Sequence, residues 1–281
     1  MTTTDEAVRR TARVLTGFMS PTEANGFAAS FVIDPPPFIA AWKAQIAGCS
    51  TLSGYRAPRI DQPPASASTH IEGIRRNPIF AAAYGSGAEV MMIELGKLVA
   101  FQHWVDADVS DGVHGAGVDG KPDLERILQT CLPPDIIQPA KTLWQGNQRS
   151  IAVYSTNNTL DISSPDINQA TGQVTFSLFS GTNLMLVREH KGRYILANGY
   201  HRALLLRSRG VEMVPAVLAR VVNQADAVPG QGFIAPELVF ADRPPTVDDF
   251  LDDSLSVSVP IRAMLKAVRI SVETSFVPRL I

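Results

Sequence analysis

The chain is poor in the features that identify several common classes of protein. It has two cysteines, Cys49 and Cys131, far apart and with no CxxC pair. That spacing argues against a disulfide framework or a structural zinc site, and it suits a reducing cytoplasm. No run approaches the roughly eighteen apolar residues of a membrane span. The opening MTTTDEAVRR carries acid early and has no apolar segment of the secretory kind. A cytoplasmic protein with no membrane partner is therefore expected. There is no excess of base, since 25 Lys and Arg stand against 27 Asp and Glu, a net charge of −2. A protein that coats nucleic acid through its phosphates usually carries a basic surplus, so nucleic acid is a less favoured partner. No G-x-S-x-G elbow supports a hydrolase triad, and no internal repeat is visible.

What is present is core material. Hydrophobic residues make up 45% of the 281 and charged residues 19%, which excludes a disordered chain. Residues 4–18 have helical spacing, with Val8, Ala12 and Leu15 on one face. Pro35-Pro36-Pro37 reads as a break before a helix FIAAWKAQIAG that stops at Gly48. Another helix is expected around 71–84, so residues 1–87 read as a helical N-terminal region. After Gly85-Ser86-Gly87 the texture becomes strand-like: EVMMIEL, KLVAFQHWV, SIAVYST, QVTFSLF, NLMLVRE and RYILA are rich in β-branched and aromatic residues. PDLERILQTCL reads as a helix, and DIIQPAKTLW as a weaker one. TVDDFLDDS reads as a short acidic helix with Thr246 as N-cap. VSVPIRAMLKAVRISVETSFV reads as helix then strand. Trp42, Trp104 and Trp144 read as core or interface aromatics.

Residues 183–222 carry the most information. A hairpin, NLMLVRE–HKGR–YILA, delivers the chain to Asn198-Gly199; a helix HRALLLRSRG begins at once, and a strand VPAVLARVV follows. A helix N-terminus has unpaired N–H groups and a positive dipole end, so it attracts anions. Gly199 permits a sharp turn and close approach of a ligand. Arg202 in the first turn offers a planar fork of donors suited to phosphate, and His201 can add hydrogen bonds. Six basic residues (Arg188, Lys191, Arg193, Arg202, Arg207, Arg209) face one acid, Glu189, between 188 and 209. The alternative is an ordinary solvated helix with a capping or packed His201.

The segment GRYILANGYHRALLLRSRGVEMVPAVLARV resembles the central segment of the ParB/sulfiredoxin superfamily: strand, Gly-x-His-Arg turn, helix, Val214-Pro215 and strand. The resemblance covers 183–222 and extends more weakly to IELGKLVAFQHWVDAD, residues 93–108, with Gln102. It implies an α/β (α+β) fold with a mixed sheet over 88–225, an insertion at about 109–182, and a C-terminal extension, 226–281, packing on the core. It also implies a phosphate or nucleotide site at Asn198, Gly199, Tyr200, His201 and Arg202, with Gln102 and Arg188 as accessories and a nucleoside triphosphate with Mg²⁺ as cofactor. Sulfiredoxin places its catalytic cysteine where Tyr200 stands, so sulfinic-acid reduction is not expected. ParB proteins continue into a basic helix-turn-helix domain, whereas TVDDFLDDS is acidic. The function implied is therefore binding of a small phosphate ligand, in a phosphotransferase or NTPase if catalysis survives. The alternatives are a non-catalytic interaction module with a retired site, and a metal-dependent nuclease.

One further stretch holds candidate metal ligands. HWVDADVSDGVHGAGVDGKPD contains His103, Asp106, Asp108, Asp111, His114 and Asp119. Asp106, Asp108 and Asp111 have carboxylate spacing that suits Mg²⁺; EF-hand spacing fails, and solvated turn chemistry is the favoured alternative. Glu94 or Asp106 is available as a base. Asp248, Asp249, Asp252 and Asp253 read as a solvated acidic face.

Overall fold

A computed structural model describes residues 9–46, 54–85, 87–107, 122–136, 142–147, 150–155, 160–162, 165–179, 181–228, 234–263 and 266–271. The chain divides into two compact units, one of Met1–Ile136 with Asn183–Ala263, the other of Ile137–Thr182 with Met264–Ile281. The boundary expected near residue 87 thus falls inside the first unit. The expected insertion corresponds in part to the second, which also takes in the end of the chain.

The first unit is an α+β structure. Its strands are β1 (Arg9–Val14), β2 (Ile60–Asp61), β3 (Glu89–Glu94), β4 (Trp104–Asp106), β5 (Leu186–His190), β6 (Arg193–Asn198), β7 (Met213–Arg220) and β8 (Val257–Arg262). Its main helices are α1 (Pro21–Ser30), α2 (Pro35–Gln45), α3 (Ser68–Arg76), α4 (Pro78–Tyr84), α5 (Leu124–Cys131) and α6 (Tyr200–Ser208). A five-stranded mixed sheet has the order β6-β5-β7-β3-β2, with β5 parallel to β7 and the other pairs antiparallel. A three-stranded antiparallel sheet has the order β8-β1-β4.

The N-terminal helix expected over 4–18 is, in its described part, the strand β1 over Arg9–Val14 followed by a 3-10 turn at Thr16–Phe18. In β1, Ala12 and Val14 face inward at a spacing of two, and β8 pairs along the full length from Arg9–Arg262 to Val14–Val257. The helix expected to open VSVPIRAMLK is likewise a strand, because Val259 and Ile261 alternate inward. The helices of the N-terminal region lie between Pro21 and Tyr84. Ser20 and Glu23 form a reciprocal capping box for α1. Pro35 sits at the first position of α2, where a missing N–H costs little, so the proline run starts this helix instead of breaking the chain. Asn77-Pro78 splits the helix expected around 71–84, with Asn77 capping α4. Asp123 caps α5.

One apolar core lies around the five-stranded sheet and packs β3, β5, β6 and β7 against α5 and α6. A second joins β1 and β8 to α1 and α2, where Phe27, Phe31 and Trp104 cluster with ring centroids 5.2–5.9 Å apart and Trp42 donates to the Met19 carbonyl. The acidic segment after Thr246 is a short 3-10 turn, Asp248–Phe250. Thr246 is not its N-cap: Val247 holds that position without a side-chain cap, and the Thr246 N–H and hydroxyl donate to Asp249.

The second unit has a three-stranded antiparallel sheet of Thr142–Asn147, Ser150–Ser155 and Lys266–Ser271, in the order third, second, first. The helix expected over DIIQPAKTLW gives way to strand from Thr142, and residues 137–141 lie outside the described residues. QVTFSLF is two strands, Gln173–Thr175 and Leu178–Phe179, which pair with Asp166–Asn168 and Asp161–Ile162 respectively. Among the described residues no helix is long and apolar enough to cross a membrane.

Candidate functional site

The turn at 198–202 is built by the hairpin before it. Lys191 and Gly192 take positive φ, 50° and 76°, as a two-residue hairpin turn requires. β6 then carries Asn198 to the end of the sheet opposite Leu186. Gly199 has φ 105°, and a Cβ there would stand 3.2 Å from Met185 Cε and 3.3 Å from Arg202 Nη2. Only glycine fits both that conformation and that space. α6 starts at the next residue, with no side-chain cap and no acid in its first turn.

Ala203, Leu204, Leu205 and Leu206 are all buried, so α6 lies within the core and the buried polar side chains beside its first turn find partners within the fold. Asn198 Nδ2 donates to the Leu184 carbonyl at 2.9 Å. The Tyr200 hydroxyl accepts the Phe101 N–H at 2.8 Å, and its ring meets Phe101 and Phe250 edge-on. Burial pushes that phenol up, well above its ordinary range. Arg202 is 3% exposed, and its Nη1 donates to the carbonyls of Thr130 (3.2 Å), Cys131 (3.4 Å) and Asn183 (2.5 Å). Where the sequence reading places Asn198, Tyr200 and Arg202 at a ligand, the structure turns all three inward. Arg202 closes the last carbonyls of α5, where a cation also suits the helix dipole.

His201 is the half-buried side chain of the first turn. Burial lowers its pKa; Asp106 opposes that, while Arg202 and Arg10 add to it. Asp106, the last residue of β4, is buried and bonded by Arg10 Nη1 of β1 at 2.9 Å. The accessories separate: the Gln102 N–H faces the Tyr200 hydroxyl, whereas Arg188 on β5 donates to the Asp226 carbonyl at 2.6 Å. Burial lowers the pKa of Arg188 too. The Glu94 carboxylate accepts the Arg59 N–H.

Of the expected metal ligands Asp106, Asp108 and Asp111 only Asp106 is described; of the same stretch His103 is also described, while Asp108, Asp111, His114 and Asp119 lie outside the described residues. Among the described residues no three His, Cys, Asp or Glu side chains converge as a metal site would require. Asp249 is likewise not on a solvated face: it is buried against Arg243.

Sequence reasoning missed Arg10 and Glu23. Arg10 meets Asp106 across 96 residues, and no local pattern announces it. Glu23 Oε1 stands 3.6 Å from Nε2 of the buried His103, and that nitrogen has no hydrogen-bond partner among the described residues. Burial lowers the pKa of His103, and the Glu23 carboxylate pulls the other way.

These two imidazoles give a signed pH dependence. Both have folded pKa values below the ordinary value near 6.5, so the unfolded chain takes protons first as pH falls. Their contribution to stability is complete above about pH 6.5 and is lost as pH falls from there toward the folded values. Urea midpoints measured between neutral and mildly acid pH are expected to fall, and His103→Gln is expected to flatten the profile. An unchanged slope in that variant would refute the assignment.

No family model, curated protein or solved structure matches the chain.

Proposed function

We propose that the chain binds a small phosphate-bearing molecule at the N-terminal end of α6, with His201 and the first-turn N–H groups as its contacts. The observation that carries this reading is Arg202. It is a buried guanidinium whose hydrogen-bond partners among the described residues are all carbonyls, with no carboxylate. A buried charge without a counter-charge is costly, and the dipole of α5 offsets only part of that cost. An anion at the uncapped, acid-free start of α6 would offset more. Arg202 then acts from behind the turn, by its field and by holding Gly199 in place, and not as a direct clamp. The ParB/sulfiredoxin resemblance of residues 183–222 supports the same ligand class. In its enzymatic form the reading is a nucleotide-dependent phosphotransferase or NTPase, with Mg²⁺ arriving on the nucleotide.

A second reading is a retired site in a non-catalytic module. The full engagement of Arg202 Nη1, Asn198 and Tyr200 within the fold favours it. Thermal shifts with ATP, CTP, GTP, UTP and inorganic phosphate, with and without Mg²⁺, separate the two. A ligand at about a hundred times its dissociation constant adds about 2.7 kcal/mol of stability. The first reading expects such a shift in the wild type and its loss in His201→Ala. No shift with any of these ligands, from a folded protein, overturns it in favour of the second.

A further inference from the structure

The donors at the start of α6 and the charges around them define the kind of anion that fits. The first hydrogen bond of the helix runs from the Ala203 N–H to the Gly199 carbonyl at 2.8 Å. The N–H groups of Tyr200, His201 and Arg202 before it have no acceptor among the described residues. Arg202 adds a second observation. It is 3% exposed, and all its hydrogen bonds among the described residues are made by Nη1. Its Nη2 lies against the cap, 3.3 Å from where a Cβ on Gly199 would stand. A buried positive charge with a spare donor thus stands behind three free N–H groups.

Three N–H groups match the three unesterified oxygens of a phosphate monoester, whereas a diester presents two. Access points the same way. Gly199, Tyr200 and Arg202 are buried and Asn198 and His201 half-buried, so the turn admits the end of a molecule better than a polymer backbone. The charged groups that face His201 are Asp106 of β4, Arg202 beside it and Arg10 of β1. Arg10 and Asp106 form an ion pair at 2.9 Å and largely cancel. That leaves Arg202 and the helix dipole, worth about half a charge. They fall short of a dianion by roughly one positive charge, and an imidazolium at His201 supplies it. Without the ligand, burial and the two guanidiniums keep that imidazole neutral.

Resting on the phosphate-binding reading of this turn, we propose that it receives a terminal phosphate group as its dianion, with His201 taking up a proton from solvent as the ligand binds. Affinity then falls as pH rises through the bound-state value of His201, by up to about tenfold per pH unit. Calorimetric titration with methyl phosphate and dimethyl phosphate tests this, at about pH 7.5, where a monoester with its second pKa near 6 is ionised. Each titration is run in two buffers of different ionisation enthalpy, which counts the protons taken up. Methyl phosphate is expected to bind at least about tenfold more tightly than dimethyl phosphate, with net proton uptake. His201→Asn is expected to bind methyl phosphate more weakly and without uptake. If that variant does not fold, the five histidines of the wild type are followed by NMR against pH. One imidazole is expected to titrate at higher pH with methyl phosphate present, and none doing so overturns the proposal. Binding of methyl phosphate without proton uptake, uptake that survives His201→Asn, or equal binding of the diester would each overturn it and leave the phosphate site standing. If neither ester nor any ligand of the thermal-shift panel binds, the phosphate site itself falls, and the proton linkage with it.

Discussion

Asp249→Ala is expected to lose about 3–5 kcal/mol of unfolding free energy, the range for removing one partner of a buried ion pair. Asp249 is buried, and both of its oxygens are used. Arg243 Nη2 donates to Oδ1 at 2.5 Å and Nη1 to Oδ2 at 2.9 Å, while the Thr246 N–H and hydroxyl add bonds to Oδ2 at 2.6 and 3.1 Å. The alanine variant leaves a largely buried guanidinium without its carboxylate and the Thr246 N–H without its acceptor. It also loosens a segment that is zipped to the core, because Val247 donates to the Leu98 carbonyl and Ala100 to that of Pro245. Asp249→Asn keeps the shape and part of the bonding, so its loss should be smaller. Urea unfolding followed by circular dichroism measures both. A loss below about 1 kcal/mol for the alanine variant would show that the pair behaves as an exposed one.

Arg202→Met is expected to cost about 2–4 kcal/mol, from two or three carbonyls left with weakened bonding in a buried setting. Methionine keeps most of the apolar stem, so the effect reports the lost guanidinium more than a cavity. The Cys131 carbonyl retains the Met185 N–H at 2.8 Å, whereas the hydrogen bonds of Arg202 to Thr130 and Asn183 are lost outright. Arg202→Lys should recover only part, since an ammonium lacks the planar fork. The same urea series decides this. An Arg202→Met variant as stable as the wild type would remove the anchoring role given to this side chain.

The two results also bear on how the site could be read. The unit from Leu186 to Arg220 was legible because its signals are local: alternating apolar residues, a Lys-Gly turn, then a glycine followed by a run of helix formers. The helix start and the need for glycine at 199 follow from those signals. The direction of Arg202 does not. In the sequence it is an arginine in a first helical turn. Its burial depends on the last carbonyls of α5, about seventy residues earlier, arriving underneath it.

β1 shows the opposite case. Val8, Ala12 and Leu15 fit a helix, while Ala12 and Val14 fit a strand equally well, and six residues cannot decide between the two periods. The choice is made by β8, which pairs with β1 from the far end of the chain. The same non-local pairing converts VSVPIR from expected helix to strand. The pairing of β1 with β4 sets Arg10 against Asp106, and so determines which charges surround His201.

By itself the sequence determined the α+β class, the hairpin–helix–strand unit around Gly199 and the position of the turn. Each of these rests on backbone preferences and periodicities that operate within a few residues. The tertiary structure alone decided the strand identity of both ends of the first unit, the inward direction of Asn198, Tyr200 and Arg202, and the pairings Arg10–Asp106 and Arg243–Asp249. These depend on what packs against each side chain once distant segments meet. A buried polar group takes whichever partner the fold brings to it, and the local sequence does not encode that partner.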